Sequence, residues 1–165
     1  MARTFTPPEL EILRRRDRPM VEIFEQLVQN PQMFRNIIQN VTLIAALFFK
    51  NHPGLTEWPK LPEARNTVIF RYAICGYVSI LMRIGDGGAG KAKPENLRNN
   101  DVIDVNIATF ATYFDGLLTA DTRAAEIYAA AEFLLHEVFG MPPWWLRVWF
   151  ALSRLWTRPA SPAGL

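Results

Sequence analysis

Twelve prolines divide this chain of 165 residues into short segments, and they constrain its fold more than any other feature. Proline opens helices but breaks their interiors, because it has no amide hydrogen and its ring clashes with the preceding turn. The segments between prolines carry apolar residues at three- and four-residue steps, which predicts helices. The first three predicted helices run from about Pro8 to Arg16, from Pro19 to Gln29 and from Gln32 to Phe49. A loop over 51–63 follows, and the next helix runs from there to Ile84. The last three helices are predicted from Pro94 or Glu95 to Tyr113, from Thr122 to Phe139, and from Pro142 onward.

The composition favours one domain with a buried core. Half of the residues are hydrophobic, which is enough for a core at this length. We therefore expect a single domain over residues 1–158 and a disordered tail over 159–165. The net charge of +2 is too weak on its own to indicate nucleic acid as a partner.

Cysteine and histidine usage limits the chemistry. Cys75 is the only cysteine, so neither a disulfide framework nor a thiolate zinc site can form within one chain. The two histidines, His52 and His136, lie far apart in sequence, which argues against a histidine metal centre. The first residues lack the apolar stretch of a secretory signal, so a cytoplasmic location is expected.

Two other patterns are weighed and set aside. The apolar run from Val68 to Met82 contains Arg71 and is shorter than the roughly 20 residues of a membrane span, so we expect a buried helix. Gly85, Gly90 and Lys91 match the spacing of a phosphate-binding P-loop. That motif requires a preceding strand, a hydroxyl after the lysine and an immediate helix, and the sequence supplies none of them.

Four of the six aspartates fall in one stretch, residues 99–121, among small and apolar residues. At 100° per residue, a helix places the acids and small residues on one face and bulky apolar residues on the other. The first face holds Asp101, Asp104, Ala108, Ala111, Thr112 and Asp115, and the second holds Ile103, Ile107, Phe110 and Phe114. Small residues allow close packing, and closely packed acids need a positive partner, for which a divalent cation is one candidate.

A short buried strand is predicted over Leu117–Thr119, with Asp121 following its end. Ligands bind at the carboxyl ends of strands in open parallel sheets, so Asp101 and Asp121 could converge there on Mg²⁺ or Mn²⁺. Each acid also has a purely structural interpretation. Asp101 can complement a helix dipole, Asp115 can belong to a turn, and Asp121 can cap the next helix.

The pattern N-D-x-x-D, then apolar residues, T-x-D and a helix resembles the C-terminal half of PIN-like domains, over about Lys93–Phe139. The resemblance implies an α/β fold of PIN-like type, here predominantly helical with only a small parallel sheet remnant. It also implies a metal-dependent ribonuclease that cleaves RNA phosphodiester bonds with Mg- or Mn-activated water. Asp101 and Asp121 would then be catalytic metal ligands, with Asp104 assisting and Thr119 as a supporting hydroxyl.

The sequence departs from that family at its start. PIN-like domains begin with a strand that ends in the first metal-binding aspartate, whereas the only early aspartate here, Asp17, lies in an arginine cluster. A further acidic ligand could come from Glu22 or Glu25. We therefore expect either that the true start lies upstream of Met1 or that the chain has lost catalysis.

The resemblance also implies partners. RNA would be the substrate, and because many PIN-like proteins are toxins, an antitoxin or a homodimer partner is expected as well. Phosphate contacts are expected from basic residues in the N-terminal arginine cluster and in the segment before Asp101. These are Arg14, Arg15, Arg16, Lys91, Lys93 and Arg98.

The alternative function is a non-enzymatic helical interaction module that binds a protein partner through its C-terminal, tryptophan-rich helix. In that helix apolar and basic residues separate onto two faces. The apolar face holds Trp145, Trp149, Leu152 and Trp156, and Arg147, Arg154 and Arg158 lie largely opposite. The same pattern suits a helix that simply covers the domain's own core.

Overall fold

Helices dominate the computed structural model, which describes residues 11–13, 18–52, 54, 57, 59–85, 94–114 and 116–140, with the backbone alone at 61, 62 and 94–99. The helices are α1 (Met20–Gln29), α2 (Pro31–Lys50), α3 (Leu61–Ala64), α4 (Val68–Gly85), α5 (Pro94–Ala111) and α6 (Thr122–Phe139). The proline pattern predicted most of their ends closely. One difference is that the helix expected up to Ile84 begins only at Val68 and follows the separate short helix α3.

Local capping explains where two of the long helices begin. The Asn30 side chain accepts hydrogen bonds from the amides of Gln32 and Met33, and Pro31 occupies the first turn of α2. Asp121 caps α6, since its Oδ1 accepts hydrogen bonds from the amides of Arg123 and Ala124. Such caps satisfy amides that have no partner inside the helix.

Helix α4 lies at the centre of the core and packs against α2, α5 and α6. Ten of its residues are buried, namely Phe70, Arg71, Ala73, Ile74, Cys75, Tyr77, Val78, Ser79, Leu81 and Met82. Helix α1 packs against α2 and α6, so the apolar side chains of the long helices meet in one cluster. In contrast, α5 packs chiefly against α4 and α6 and leaves a broad face uncovered.

Helix α4 is also long and apolar enough to cross a membrane, with a mean hydropathy of 1.4 over its 18 residues. More than half of this stretch is buried among the other helices. Core helices pass the same test of length and composition, so this is a weak indication of a membrane span. The buried helix expected over this run is present.

Ion pairs and hydrogen bonds show the helix directions. Arg83, near the end of α4, pairs with Asp101 in α5, and Arg71, near the start of α4, donates to the Thr112 carbonyl just after α5 ends. These two helices are therefore antiparallel. Arg123, in the first turn of α6, also reaches Asp101, so α5 and α6 begin side by side. The segment after α5 returns the chain to the end of the bundle where α5 began.

The predicted α/β fold of PIN-like type is wrong, because no strand and no sheet occur in the described residues. The expected strand over Leu117–Thr119 is irregular backbone, and Leu118 is fully exposed instead of buried. A lone extended segment is not stable as a strand, because its backbone groups need a neighbouring strand to pair with. The final helix expected from Pro142 and the tail over 159–165 lie outside the described residues. So does most of the helix expected from Pro8 to Arg16, of which residues 11–13 are described and are helical.

Candidate functional site

The acid-bearing face of α5 is buried, as close packing of its small residues predicted. Asp101 is 9% exposed and Asp104 is 6% exposed, while Ala108 is completely covered. Because α4 and α6 both lie against this face, each acid meets side chains from another helix. A carboxylate in such a position is costly unless its charge is compensated.

Two arginines supply that compensation for Asp101. The Arg83 guanidinium pairs with its Oδ2, and Arg123 Nε lies 3.2 Å from its Oδ1. The three side chains are between 12% and 31% exposed, so water screens the pairs only in part. Asp101 therefore joins three helices, with Arg83 coming from α4 and Arg123 from α6.

Asp104 is compensated less completely. Burial raises its pKa, the negative charge of Asp121 raises it further, and Arg123 opposes both effects. Arg123 Nε lies 3.9 Å from Asp104 Oδ2, at the limit of an ion pair. Asp101 and Asp104 thus share the Arg123 guanidinium, and the charge of Asp121, at the start of α6, acts on Asp104.

These residues do not fit the role of a divalent metal site. Both oxygens of Asp101 face guanidinium groups, and Asp121 Oδ1 accepts two backbone amides as the cap of α6. The arginines supply the positive charge for which a divalent cation was one candidate. Across the described ranges, no three His, Cys, Asp or Glu side chains are grouped so as to hold a metal ion.

Of the supporting and RNA-contact residues predicted from the sequence, Thr119 is the one whose side chain the structure describes. Thr119 is exposed, and its hydroxyl accepts a hydrogen bond from the Asp121 amide at 3.0 Å, so it shapes the turn before α6. Arg98 is described only by its backbone. The remaining candidate RNA contacts, together with Asp115, lie outside the described residues; they are Arg14, Arg15, Arg16, Lys91 and Lys93.

Arg71, which the sequence shows only as a charge within an apolar run, is buried and makes several contacts. Its Nε donates to the Arg65 carbonyl at 2.7 Å, another nitrogen donates to the Thr112 carbonyl, and its guanidinium lies 4.1 Å from the centre of the Tyr113 ring. It also lowers the pKa of Glu132, which burial raises more strongly. An arginine inside an apolar helix could have predicted these contacts from sequence, because a buried charge needs several partners.

Cys75 is enclosed in the core, whereas His136 lies on the surface. Burial raises the pKa of Cys75 to about 12, against a smaller lowering by a hydrogen bond with Thr109, so the thiol stays protonated and enclosed. The His136 side chain is 84% exposed and lies 3.6 Å from Glu137 on the surface of α6. A cleft lined by Leu13, Arg18 and parts of α1, α4 and α6 has a volume of about 70 Å³, well below the several hundred of a typical ligand pocket.

The opposite face of α5 is an exposed apolar surface. Of the seven exposed positions between 102 and 114, Asn106 alone is polar. The other six define what we call the α5 apolar surface: Val102, Ile103, Ile107, Phe110, Tyr113 and Phe114. Phe110 is 58% exposed and Phe114 is 70% exposed. At this degree of exposure the six side chains present on the order of 600 Å², at the upper end of patches on monomers.

No protein-family model matches this chain, and neither the curated proteins nor the solved structures contain a significant match to it.

Proposed function

We propose that this protein is a non-enzymatic helical interaction module that binds the helix of a protein partner through the α5 apolar surface. The observation that carries the proposal is the exposure of six large apolar side chains on one helix face. Contiguous surfaces of this size commonly mark interaction sites. The candidate metal ligands support the same choice, because arginine side chains and backbone amides already compensate them.

The spacing of the surface favours a helical partner. Ile103, Ile107, Phe110 and Phe114 follow one another at steps of four, three and four residues. This is the spacing of the a and d positions of a coiled coil, which pack into the matching seam of a second helix. Here the seam points away from α4 and α6, so its natural complement is a helix that the bundle of described helices does not supply.

The charge of the surface favours protein over RNA. None of the seven exposed positions between 102 and 114 carries a charged side chain. Nucleic acid binding depends chiefly on lysine and arginine contacts to phosphates. An amphipathic helix needs apolar contact along its seam and keeps its polar face in water.

Site-specific photocrosslinking tests the proposal. A photoreactive phenylalanine analogue would replace Phe110, and a matched control would carry it at Phe48, a 45% exposed phenylalanine on α2. The expected result is a partner that crosslinks in cells from position 110 and not from position 48. Purified partner should then bind the Phe110→Asp variant at least about tenfold more weakly, as loss of one buried phenylalanine contact implies.

The proposal fails if the purified partner binds the Phe110→Asp variant as tightly as the unmodified chain, or if positions 110 and 48 give the same crosslinks. Circular dichroism of each variant separates loss of binding from loss of folding. The RNA hydrolysis implied by the sequence resemblance stays a separate prediction, and the carboxylate cluster provides its test.

A further inference from the structure

We infer that the partner of the α5 apolar surface is a second copy of this chain, whose own α5 packs antiparallel against it in a two-fold symmetric dimer. The inference rests on the proposed function, since it names the partner of the same surface. The observation that carries it is the arrangement of isoleucines and phenylalanines along the seam, which makes the surface complementary to itself.

The seam has the same spacing in both directions. Its steps of four, three and four residues are symmetric about the midpoint between Ile107 and Phe110. A two-fold axis through that midpoint and perpendicular to the helix sets Ile107 opposite Phe110 of the second copy, and Ile103 opposite Phe114. A symmetric dimer needs a surface that matches itself in this way, because both subunits contribute the same patch.

The sizes of the side chains favour the antiparallel direction. At each level of the antiparallel seam, a phenylalanine from one copy faces an isoleucine from the other. Pairing larger with smaller side chains keeps the two helices at an even distance and lets the layers interdigitate. A parallel pair would instead set each phenylalanine against its own counterpart. The helices would then be held apart at Phe110 and Phe114, and gaps would remain beside the isoleucines.

Electrostatics do not oppose the association of two copies. The exposed positions between 102 and 114 carry no charged side chain, so the two seams bring no like charges together. The net charge of the whole chain is only +2, so the long-range repulsion between two copies is weak. Asn106 is the one polar residue among these exposed positions.

The area of the surface is sufficient for a reversible dimer. The six side chains of the α5 apolar surface are between 39% and 70% exposed, which corresponds to about 600 Å² in each copy. Two copies would therefore bury about 1,200 Å² in total, at the lower end of the range for specific interfaces. A dissociation constant of about micromolar is expected, so the dimer forms and separates with the concentration of the chain.

An exchange of charges across the two-fold axis tests both the partner and the register. One variant of the full chain carries Phe110→Asp, and a second carries Ile107→Lys. Each variant alone places an unpaired charge in the seam, whereas a mixture of the two sets the introduced carboxylate opposite the introduced ammonium group. The register control mixes Phe114→Asp with Ile107→Lys, because position 114 faces position 103 in the proposed dimer. The surface control is Phe48→Asp, at a 45% exposed position on α2.

Sedimentation equilibrium measures the dimer dissociation constant of each sample, and circular dichroism confirms that each variant is folded. We expect the unmodified chain and the Phe48→Asp variant to dimerise alike. Phe110→Asp and Ile107→Lys should each weaken the dimer at least about tenfold. Their mixture should recover at least about tenfold in affinity, and the register control should recover clearly less.

Three results would overturn the inference. They are an unmodified chain that stays monomeric at about 100 μM, a dimer that Phe110→Asp leaves intact, and equal recovery in the two mixtures. A monomer would leave the remainder of the chain or another protein as the occupant of the surface. The proposed function would still stand if a different protein crosslinked from position 110, and it fails separately if positions 110 and 48 give the same crosslinks.

Discussion

Replacing Asp101 by asparagine distinguishes a structural ion cluster from a metal site, because the two arrangements predict opposite signs. In the structure Asp101 is buried between the guanidinium groups of Arg83 and Arg123. Asparagine keeps the shape but removes the charge and leaves both guanidiniums less compensated. Removing one partner of a buried ion pair costs about 3–5 kcal/mol. Because both arginines are partly hydrated, which lowers this cost, we expect Asp101→Asn to lower the free energy of unfolding by about 2–3 kcal/mol.

A metal site would respond in the opposite way. Without metal, clustered carboxylates repel one another, so removal of one of them would stabilise the protein. The assay is urea unfolding followed by circular dichroism at neutral pH, with a chelator and then with Mn²⁺. The control is Asn106→Ala, an exposed polar position on α5, with an expected change within about 0.5 kcal/mol. Stabilisation by Asp101→Asn in chelator, together with stabilisation of the unmodified chain by Mn²⁺, would refute the ion cluster and support a metal site.

Three further predictions concern single side chains. Burial and Asp121 raise the pKa of Asp104 above 3.8, so the folded state holds this proton more tightly and its contribution to stability is lost as pH rises through the folded pKa. Asp104→Asn should flatten that part of a stability profile measured by urea unfolding between about pH 4 and pH 7, and an unchanged slope would contradict the cause. Arg71→Lys should lower the free energy of unfolding by about 2–3 kcal/mol in the same assay, because lysine cannot keep both carbonyl contacts and the ring contact. A decrease below about 0.5 kcal/mol would show that these contacts contribute little to stability. Gly85→Ala should lower the free energy of unfolding by more than about 1 kcal/mol, because the new Cβ would lie 2.6 Å from the Leu13 carbonyl oxygen. Alanine favours helices more than glycine does, so a more stable variant would show that the backbone at Leu13 moves away easily.

The local features of the chain could be predicted from sequence because their causes lie within a few residues. Helix hydrogen bonds join residues four apart, so proline positions and apolar periodicity were enough to locate α2 and α6 and to separate the two faces of α5. The same holds for Asp121, whose capping role depends only on the two amides that follow it.

The strand prediction over Leu117–Thr119 failed because strands depend on distant partners. A short apolar run is compatible with a strand and with an exposed connection. It forms a strand only where a neighbouring strand can pair with its backbone. The described part of the chain provides none, so the segment serves as the return connection between the parallel helices α5 and α6.

The sequence by itself determined that α5 has an acidic, small-residue face and a bulky apolar face, since both follow from its 3.6-residue period. The small residues also predicted that the acidic face packs closely, but only the tertiary structure decided what compensates its charge. Arg83 and Arg123 reach Asp101 because α4 and α6 pack beside α5, and no local pattern connects residues so far apart in the chain. With the acids enclosed, the apolar face was left outward, where its exposure depends on which helix packs against it.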